Sequence, residues 1–376
     1  MAIDTPYRAI FTDLLSDQTL DILPLRDVSF DDYIGKAGSL SGTIPIPNKE
    51  IADRVKKVRE GRTAVYLERG GDLWWGGIVW TTTLQSSGRG VLTLGVQAAT
   101  FDSYASRRRI REDITYDTPT PQVQIVRRLW AELDDQSYPG MPPSDEKRRI
   151  GITPGSEPDK VTRTVTWRKG DEVLYSEALD QLAAMDNGFE YQILVYRDPS
   201  DGTRVRQLRV GEPKITHGAT DLVFDRPGAI LSYSFPYDAT RGGTTAMARG
   251  ATQNSNAAAP SAPLYGEQQY DAPLLADRWP LLDLSSDHND ISDTIALSAL
   301  AAAELKAARG AVVIPSISIH LGGIVPPALL GRYSRIRITD EWFSEGLDAR
   351  YRIVGVKVTP PERGRPDTAE LYLEEA

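Results

Sequence analysis

The chain contains no cysteine, which excludes disulfides, thiolate nucleophiles and thiolate-bound zinc. Histidine is nearly absent as well: only His217, His288 and His320 occur. No His-Glu-x-x-His spacing joins any of them, and no serine sits in a Gly-x-Ser-x-Gly elbow. Long apolar runs are missing too, and none approaches the roughly 20 residues needed to cross a bilayer. The opening Met1-Ala-Ile-Asp-Thr-Pro has no basic region leading into an apolar stretch, so no secretory signal is expected. Positive charge is in deficit, with 43 Lys and Arg against 52 Asp and Glu, a net charge of -9. Such a chain repels phosphate backbones, which argues against a dedicated nucleic-acid binder.

What is present reads as a folded protein of two or three domains, 376 residues long, 40% hydrophobic and 25% charged. The pattern predicts an α+β chain, mainly β, in which two barrel-like antiparallel β-domains flank a middle α+β region. The first block, 1–105, is built of short alternating runs and tight turns. Arg8–Leu15 and Thr19–Leu25 flank Ser16-Asp17-Gln18, and Ser39–Pro47 follows. Ala64–Glu68 and Leu73–Trp80 flank Arg69-Gly70-Gly71-Asp72, a turn whose glycines supply positive φ. Ile78–Leu84 and Val91–Val96 flank Ser86–Gly90.

The middle block, 106–230, changes period. Thr120-Pro121 is expected to open a helix carrying Val123, Val126, Leu129, Trp130 and Leu133 on one face, stopped at Tyr138-Pro139-Gly140. A second helix is expected over Asp171–Asp186, ended by Asn187-Gly188. Phe189, Tyr191, Ile193 and Val195 then alternate, with Arg204–Val210 returning beside them. The last block, 231–376, opens with a Gly/Ala/Ser/Asn-rich stretch at 242–263 that reads as a flexible loop. A helix at 293–308 follows, then strands at Ala311–Leu321, Tyr333–Thr339, Tyr351–Thr359 and Glu370–Leu373.

One internal echo links the ends. Gly77-Ile78-Val79, a turn with Gly88-Arg89-Gly90, and Leu92-Thr93-Leu94 match Arg352-Ile353-Val354, a turn with Arg363-Gly364-Arg365, and Leu371-Tyr372-Leu373. Either all antiparallel hairpins look alike or one β-domain occurs twice. In the second case Ile78 should overlie Ile353, and Leu92–Leu94 should overlie Leu371–Leu373.

The stretch Tyr7–Pro47, with Ile10-Phe11-Thr12-Asp13-Leu14, Ile22–Leu25, Val28-Ser29-Phe30 and Gly38-Ser39-Leu40-Ser41-Gly42-Thr43-Ile44-Pro45, resembles the start of minor tail proteins of actinobacterial phages. Val173–Val195, Leu330-Gly331-Arg332-Tyr333 and Tyr351–Val356 are similar to later parts of the same hub and tail-associated family of long-tailed phages. Only ten of the 43 basic residues are lysine, which suits a GC-rich source. The resemblance implies a baseplate hub at the tail tip of the virion, assembled in the host cytoplasm. It implies a homotrimer whose paired domains form a pseudo-six-fold ring that DNA crosses during ejection. It also implies a distal tail or tail tube protein, a tape measure protein and tip or receptor-binding proteins as partners. Relatives with a hydrolase or fibre extension carry it after the hub region, and this chain stops at Ala376, so no extension is expected.

Chemical readings of single features compete with plainer ones. Asp283–Asp290 is oxygen-rich like a calcium loop but lacks its glycine and terminal glutamate, so a polar loop capping the next helix is expected. Asp198–Gly202 reads as a turn, and no helix follows Gly88–Gly90 where a phosphate loop needs one. Arg107–Arg111 and Lys147–Arg149 are expected to be solvated or paired with acidic groups. His320 lies in an alternating strand and reads as a packed or surface residue. Trp74-Trp75 offers a sugar platform, but neighbours in a strand face opposite ways, so one should be core. No catalytic, cofactor-binding or metal-ligating residue is assigned, and no cofactor is expected. A non-enzymatic structural protein is the first reading, a carbohydrate-binding module the second and a cell-wall hydrolase the third.

Overall fold

The computed structural model describes residues 6–135, 148–158, 160–185, 187–253, 262–288, 291–309, 312–313, 315–322, 327–362, 364 and 366–376. The chain divides into two compact units, one of Met1–Tyr233 with Ser316–Ala376 and one of Ser234–Pro315.

The first unit is built on a 13-stranded sheet. Its N-terminal strands are β1 (Tyr7–Asp13), β2 (Thr19–Leu23), β3 (Arg26–Tyr33), β4 (Ser39–Ile46), β5 (Thr63–Arg69), β6 (Asp72–Ser86) and β7 (Leu92–Thr100). Period-2 patterning drives them: in β4, Leu40, Gly42, Ile44 and Ile46 turn inward while their neighbours face out. A short helix α1 (Lys49–Val55) is capped by the Asn48 side chain, which accepts from Ile51 N at 2.9 Å.

The middle elements pack on this sheet. β8 (Ile114–Pro121) leads directly into α2 (Gln122–Asp135). Thr120-Pro121 therefore ends a strand instead of opening the helix, because Thr120 and Pro121 pair with Arg163 and Thr162. The expected stop at 138–140 lies outside the described residues. Next come β9 (Ile152–Thr153), β10 (Thr162–Trp167), α3 (Tyr175–Ala183), β11 (Glu190–Arg197) and β12 (Arg204–Gly211). The expected helix start at Asp171 is displaced to Tyr175 because 169–171 forms a tighter turn, and Leu174 N then donates to Glu177 at 2.8 Å. Asn187 takes a positive φ of 53° but does not cap α3: the helix ends at Ala183 with Ala184 as a right-handed cap, ahead of the stop expected at Asn187-Gly188. One core joins Ile10, Tyr66 and Ile78 of the sheet, and Phe101 just after β7, to Val126, Leu129, Trp130, Leu179 and Tyr191.

β13 (His217–Arg226) and β14 (Ile230–Ser234) return to the large sheet. The second unit then holds β15 (Tyr237–Asp238), β16 (Thr245–Gln253), β17 (Ala262–Tyr265), β18 (Gln269–Tyr270), α4 (Ala272–Ala276), β19 (Asp283–Asp287), α5 (Thr294–Ala307) and β20 (Val312–Val313). The flexible loop expected at 242–263 is corrected here: Thr245–Gln253 is the central strand of a four-stranded sheet, and only 254–261 lies outside the described residues. Its small residues serve close packing. Ala246 and Ala248 bury against Leu297, Ala301 and Leu305 of α5. A Cβ on Gly250 would stand 2.6 Å from Leu297 Cδ1, so only glycine lets the helix come this near.

The chain finishes in the large sheet with β21 (Ser316–His320), β22 (Arg332–Ile338), β23 (Leu347–Thr359) and β24 (Thr368–Glu375). The sheet path is β14-β21-β24-β23-β3-β4-β7-β6-β5-β1-β2, with β22 pairing β13 and β23. The chain is thus α+β and mainly β, as its pattern predicts. Among the described residues no closed barrel forms: the sheet path runs open from β14 to β2, with β3 shared between its halves.

Candidate functional site

Among the described residues the three histidines form no nucleophile–base–acid relay. His217 begins β13, His320 ends β21, and both are exposed. Partial desolvation at the strand start, with the charges of Arg209 and Arg332, holds His217 below the usual imidazole range. His288 Nε2 lies 3.0 Å from Ser286 Oγ and 3.2 Å from Glu304 Oε1. The same nitrogen makes both contacts. A catalytic relay needs the acid on one ring nitrogen and the serine on the other, so this trio does not form one. Asp283–Asp287 is a strand parallel to β16, not a loop, and Asp293 caps α5 by accepting from Ile295 N at 3.1 Å. Among the described residues no three His, Asp or Glu side chains form a metal group.

A cleft of about 690 Å³ is lined by Glu112, Asp113, Tyr116, Arg128, Glu132 and Asp135, with no histidine or serine. Trp75 is 1% exposed and donates from Nε1 to Asp31 O at 2.9 Å. Trp74 is half-buried beside Tyr7 (6.1 Å) and the Arg69 guanidinium (5.4 Å), so its ring is engaged inside the protein. Of the basic runs, Arg109 and Arg111 pair with Glu172, Arg149 pairs with Asp135, and Arg107 lies over Trp80 at 5.1 Å. Lys147 lies outside the described residues.

The feature that stands out is the joint between the two halves of the sheet. Order and sequence run alike on both sides of it: β4-β7-β6-β5 in the first half and β21-β24-β23-β22 in the second. Each long central strand carries one bulge against its partner, skipping Trp80 in β6 and Val354 in β23. Matching the hairpins on these bulges sets Ile353 in the place of Val79, one residue beyond Ile78. Leu371–Leu373 takes the place of Val96–Ala98, not of Leu92–Leu94. The halves differ at their next strand, since β1 is antiparallel to β5 but β13 is parallel to β22.

β3 makes the joint. On one edge it pairs with β4 through Arg26, Ser29 and Phe30. On the other, Phe30–Tyr33 runs antiparallel to Gly355–Val358 of β23. Beyond Tyr33, Ile34 N donates to Val354 O at 3.0 Å and Gly35 N to Tyr191 O at 2.9 Å. Tyr33 rests on Gly355, where a Cβ would stand 2.5 Å from the ring. β3 is invisible to alternation, because Asp27 sits in the left-handed region (φ 49°) and Asp31-Asp32 interrupts the apolar pattern. Val28-Ser29-Phe30 was the available signal.

Buried charge locks the halves to the middle elements. Arg352 is 1% exposed and donates to Glu190 at 2.5 and 2.6 Å, to Glu374 at 2.5 and 2.9 Å, and to Ile215 O at 2.9 Å. Burial alone would raise Glu374, but Lys214 and Arg352 hold it below the usual carboxylate range. Arg206 spans Tyr66 OH (2.7 Å), Leu14 O (2.9 Å) and Asp17 (2.9 Å). Beside the joint, burial pushes Asp102 up from 3.8 to about 6. Burial and the charge of Asp102 push Asp32 well above the usual range.

No protein-family model matches the chain, and no curated relative does. Its fold matches solved structures of phage tail proteins from end to end. A tail protein from Neisseria meningitidis MC58 superposes with a TM-score of 0.60 at 13% identity, covering 98% of this chain and 97% of that one. The 43 kDa tail protein of prophage MuSo2 from Shewanella oneidensis gives 0.59 at 9% identity, covering 98% of each. Prophage tail protein gp18 from Listeria monocytogenes EGD-e gives 0.53 at 14%, covering 98% and 95%. The tail-protein resemblance read from Tyr7–Pro47 and the closing strands thus extends to the fold of the whole chain.

Proposed function

We propose that this chain is a structural, non-enzymatic hub protein of a phage tail tip. The observation that carries this reading is the pair of half-sheets with one strand order, joined side by side through β3. The strands of block 1–105 and those of 316–376 are then two versions of one β-domain, with 234–315 inserted into the chain ahead of the second, and the elements from β8 to β12 are the buttress packed on the sheet. Two such half-sheets per chain and three chains make a ring of six similar faces, matching a six-fold tail tube on one side and a three-fold tip on the other. A net charge of -9 suits a lumen that DNA crosses without sticking. The partners of such a hub are the tail tube or distal tail protein, the tape measure protein and the tip proteins. Its location is the virion.

Particle imaging of the purified chain, alone and with its tail partners, tests the assembly. The expected particle is a trimer with a central hole. A closed two-fold dimer without a channel would overturn the reading.

A further inference from the structure

The intrachain joint shows what the same edge lacks in the other half. On the β5 side, β6 is paired only as far as Ala64↔Ile78, followed by Gly61 N donating to Val79 O at 2.8 Å. Beyond that, Thr81–Ser86 has β7 as its only strand neighbour among the described residues. Bulge for bulge, Thr81–Leu84 occupies the place of Gly355–Val358, the segment that β3 covers. Burial follows the difference. Val358 is 1% exposed with β3 beside it, whereas Leu84, in the matching place, is 66% exposed.

Little protects this edge: a single carboxylate, Glu60, accepts from Thr82 Oγ1 near its inner end. Exposed edges are ordinarily blunted by charge, proline or shortness. Thr81-Thr82-Thr83-Leu84-Gln85-Ser86 has no charge and no proline, and its β-branched threonines favour extended backbone. β2, at one end of the sheet path, is different: its Asp21 accepts from Arg54 at 2.6 Å. β14, at the opposite end, has β21 as its strand neighbour and carries Ile230-Leu231-Ser232, uncharged in its own sequence, with Leu231 40% exposed and its carbonyl accepting from Arg226 at 2.9 Å. β14 stands to β21 as β3 stands to β4, each being the strand just outside the matched four.

We infer that the Thr81–Leu84 edge of β6 receives β14 of a second copy of this chain, antiparallel, in the place β3 takes against β23 within one chain. The inference rests on the hub reading above and gives its ring a specific seam. Each copy then offers one edge and fills one, so the contact is head-to-tail and closes only as a ring. The intrachain and interchain joints alternate around it.

The absence of native cysteine makes the seam directly testable in the full chain. Cysteine pairs are introduced, one at Thr81 or Thr83 and one at Leu231, Ser232 or Ser234, and treated with oxidant or a short bismaleimide. The expected result is a covalent ladder ending at trimer for double variants and its absence for each single variant. Leu84→Arg should weaken assembly at least tenfold by mass photometry while leaving thermal unfolding unchanged, and Ile295→Arg, also at an exposed site, should leave assembly intact. Trimers of the unaltered chain that survive Leu84→Arg and give no ladder with any pair would overturn the seam and spare the hub reading. A chain that stays monomeric with and without its tail partners would overturn both.

Discussion

Arg352 shows how single residues hold this fold. Its guanidinium is withdrawn from water and satisfied by two carboxylates and a carbonyl from β11, β24 and the strand approach at Ile215. A buried ion of this kind is worth little against a well-packed apolar substitute, but breaking it strands charges at a cost of about 3–5 kcal/mol. It therefore fixes which strands meet more than it adds stability. Asp102 works the other way. Because burial raises its folded value from 3.8 to about 6, the folded chain keeps a proton that the unfolded chain releases. The stability it lends is complete below about pH 4 and is lost as pH rises through about 6. Asp102→Asn is accordingly expected to stabilise the protein at pH 7.5 by up to about 3 kcal/mol. The gain should vanish near pH 4, as read from urea unfolding at the two pH values.

At the scale of elements, legibility follows periodicity. Strands with clean alternation, such as β4, β11 and β12, and helices with one apolar stripe, such as α2, stand in the structure near where their patterns place them. β3 escapes because its function is lateral: both its edges are used, and Asp31 serves the β3–β4 turn by accepting from Ser39 N at 2.7 Å. β16 misleads for a different reason. Glycine and alanine lower the apparent burial of a segment whether it is mobile or merely pressed against a helix, and composition does not separate the two. Here the helix decides it. A valine at Gly250 would meet Ile291 O at 2.5 Å from Cβ, a contact with backbone that no rotamer relieves. Gly250→Val should destabilise the second unit by about 1–3 kcal/mol. Amide exchange should accelerate in β16 and α5 while β4 and β7 stay protected.

At the scale of the molecule, the sequence echo pointed to the right pair of hairpins but not to their register, because bulges shift partners by a residue without leaving a mark in composition. The candidate site was less legible still, since a seam between copies is defined by what an edge lacks. The second unit, Ser234–Pro315, enters between β14 and β21, where the first half has only the short turn between β3 and β4. Replacing residues 235–315 by a short glycine-containing turn should leave the first unit folded. Circular dichroism and a cooperative thermal transition of the shortened chain check this, and loss of that transition would show the insertion to be part of the core.

The neck of that insertion has a thermodynamic consequence. β15 and β20 pair antiparallel there, Tyr237 with Val313 and Asp238 with Val312, so a folded insertion presents its two ends side by side. To the large sheet it then acts as a short loop. Once the insertion melts, the same connection becomes a free chain of about 80 residues, and closing it costs about 2–3 kcal/mol more than closing a tight turn. The pairing of β14 with β21 would carry that cost. The insertion's own stability is thereby transmitted to the strand at the end of the sheet, as a spring whose stiffness depends on whether its coil is wound.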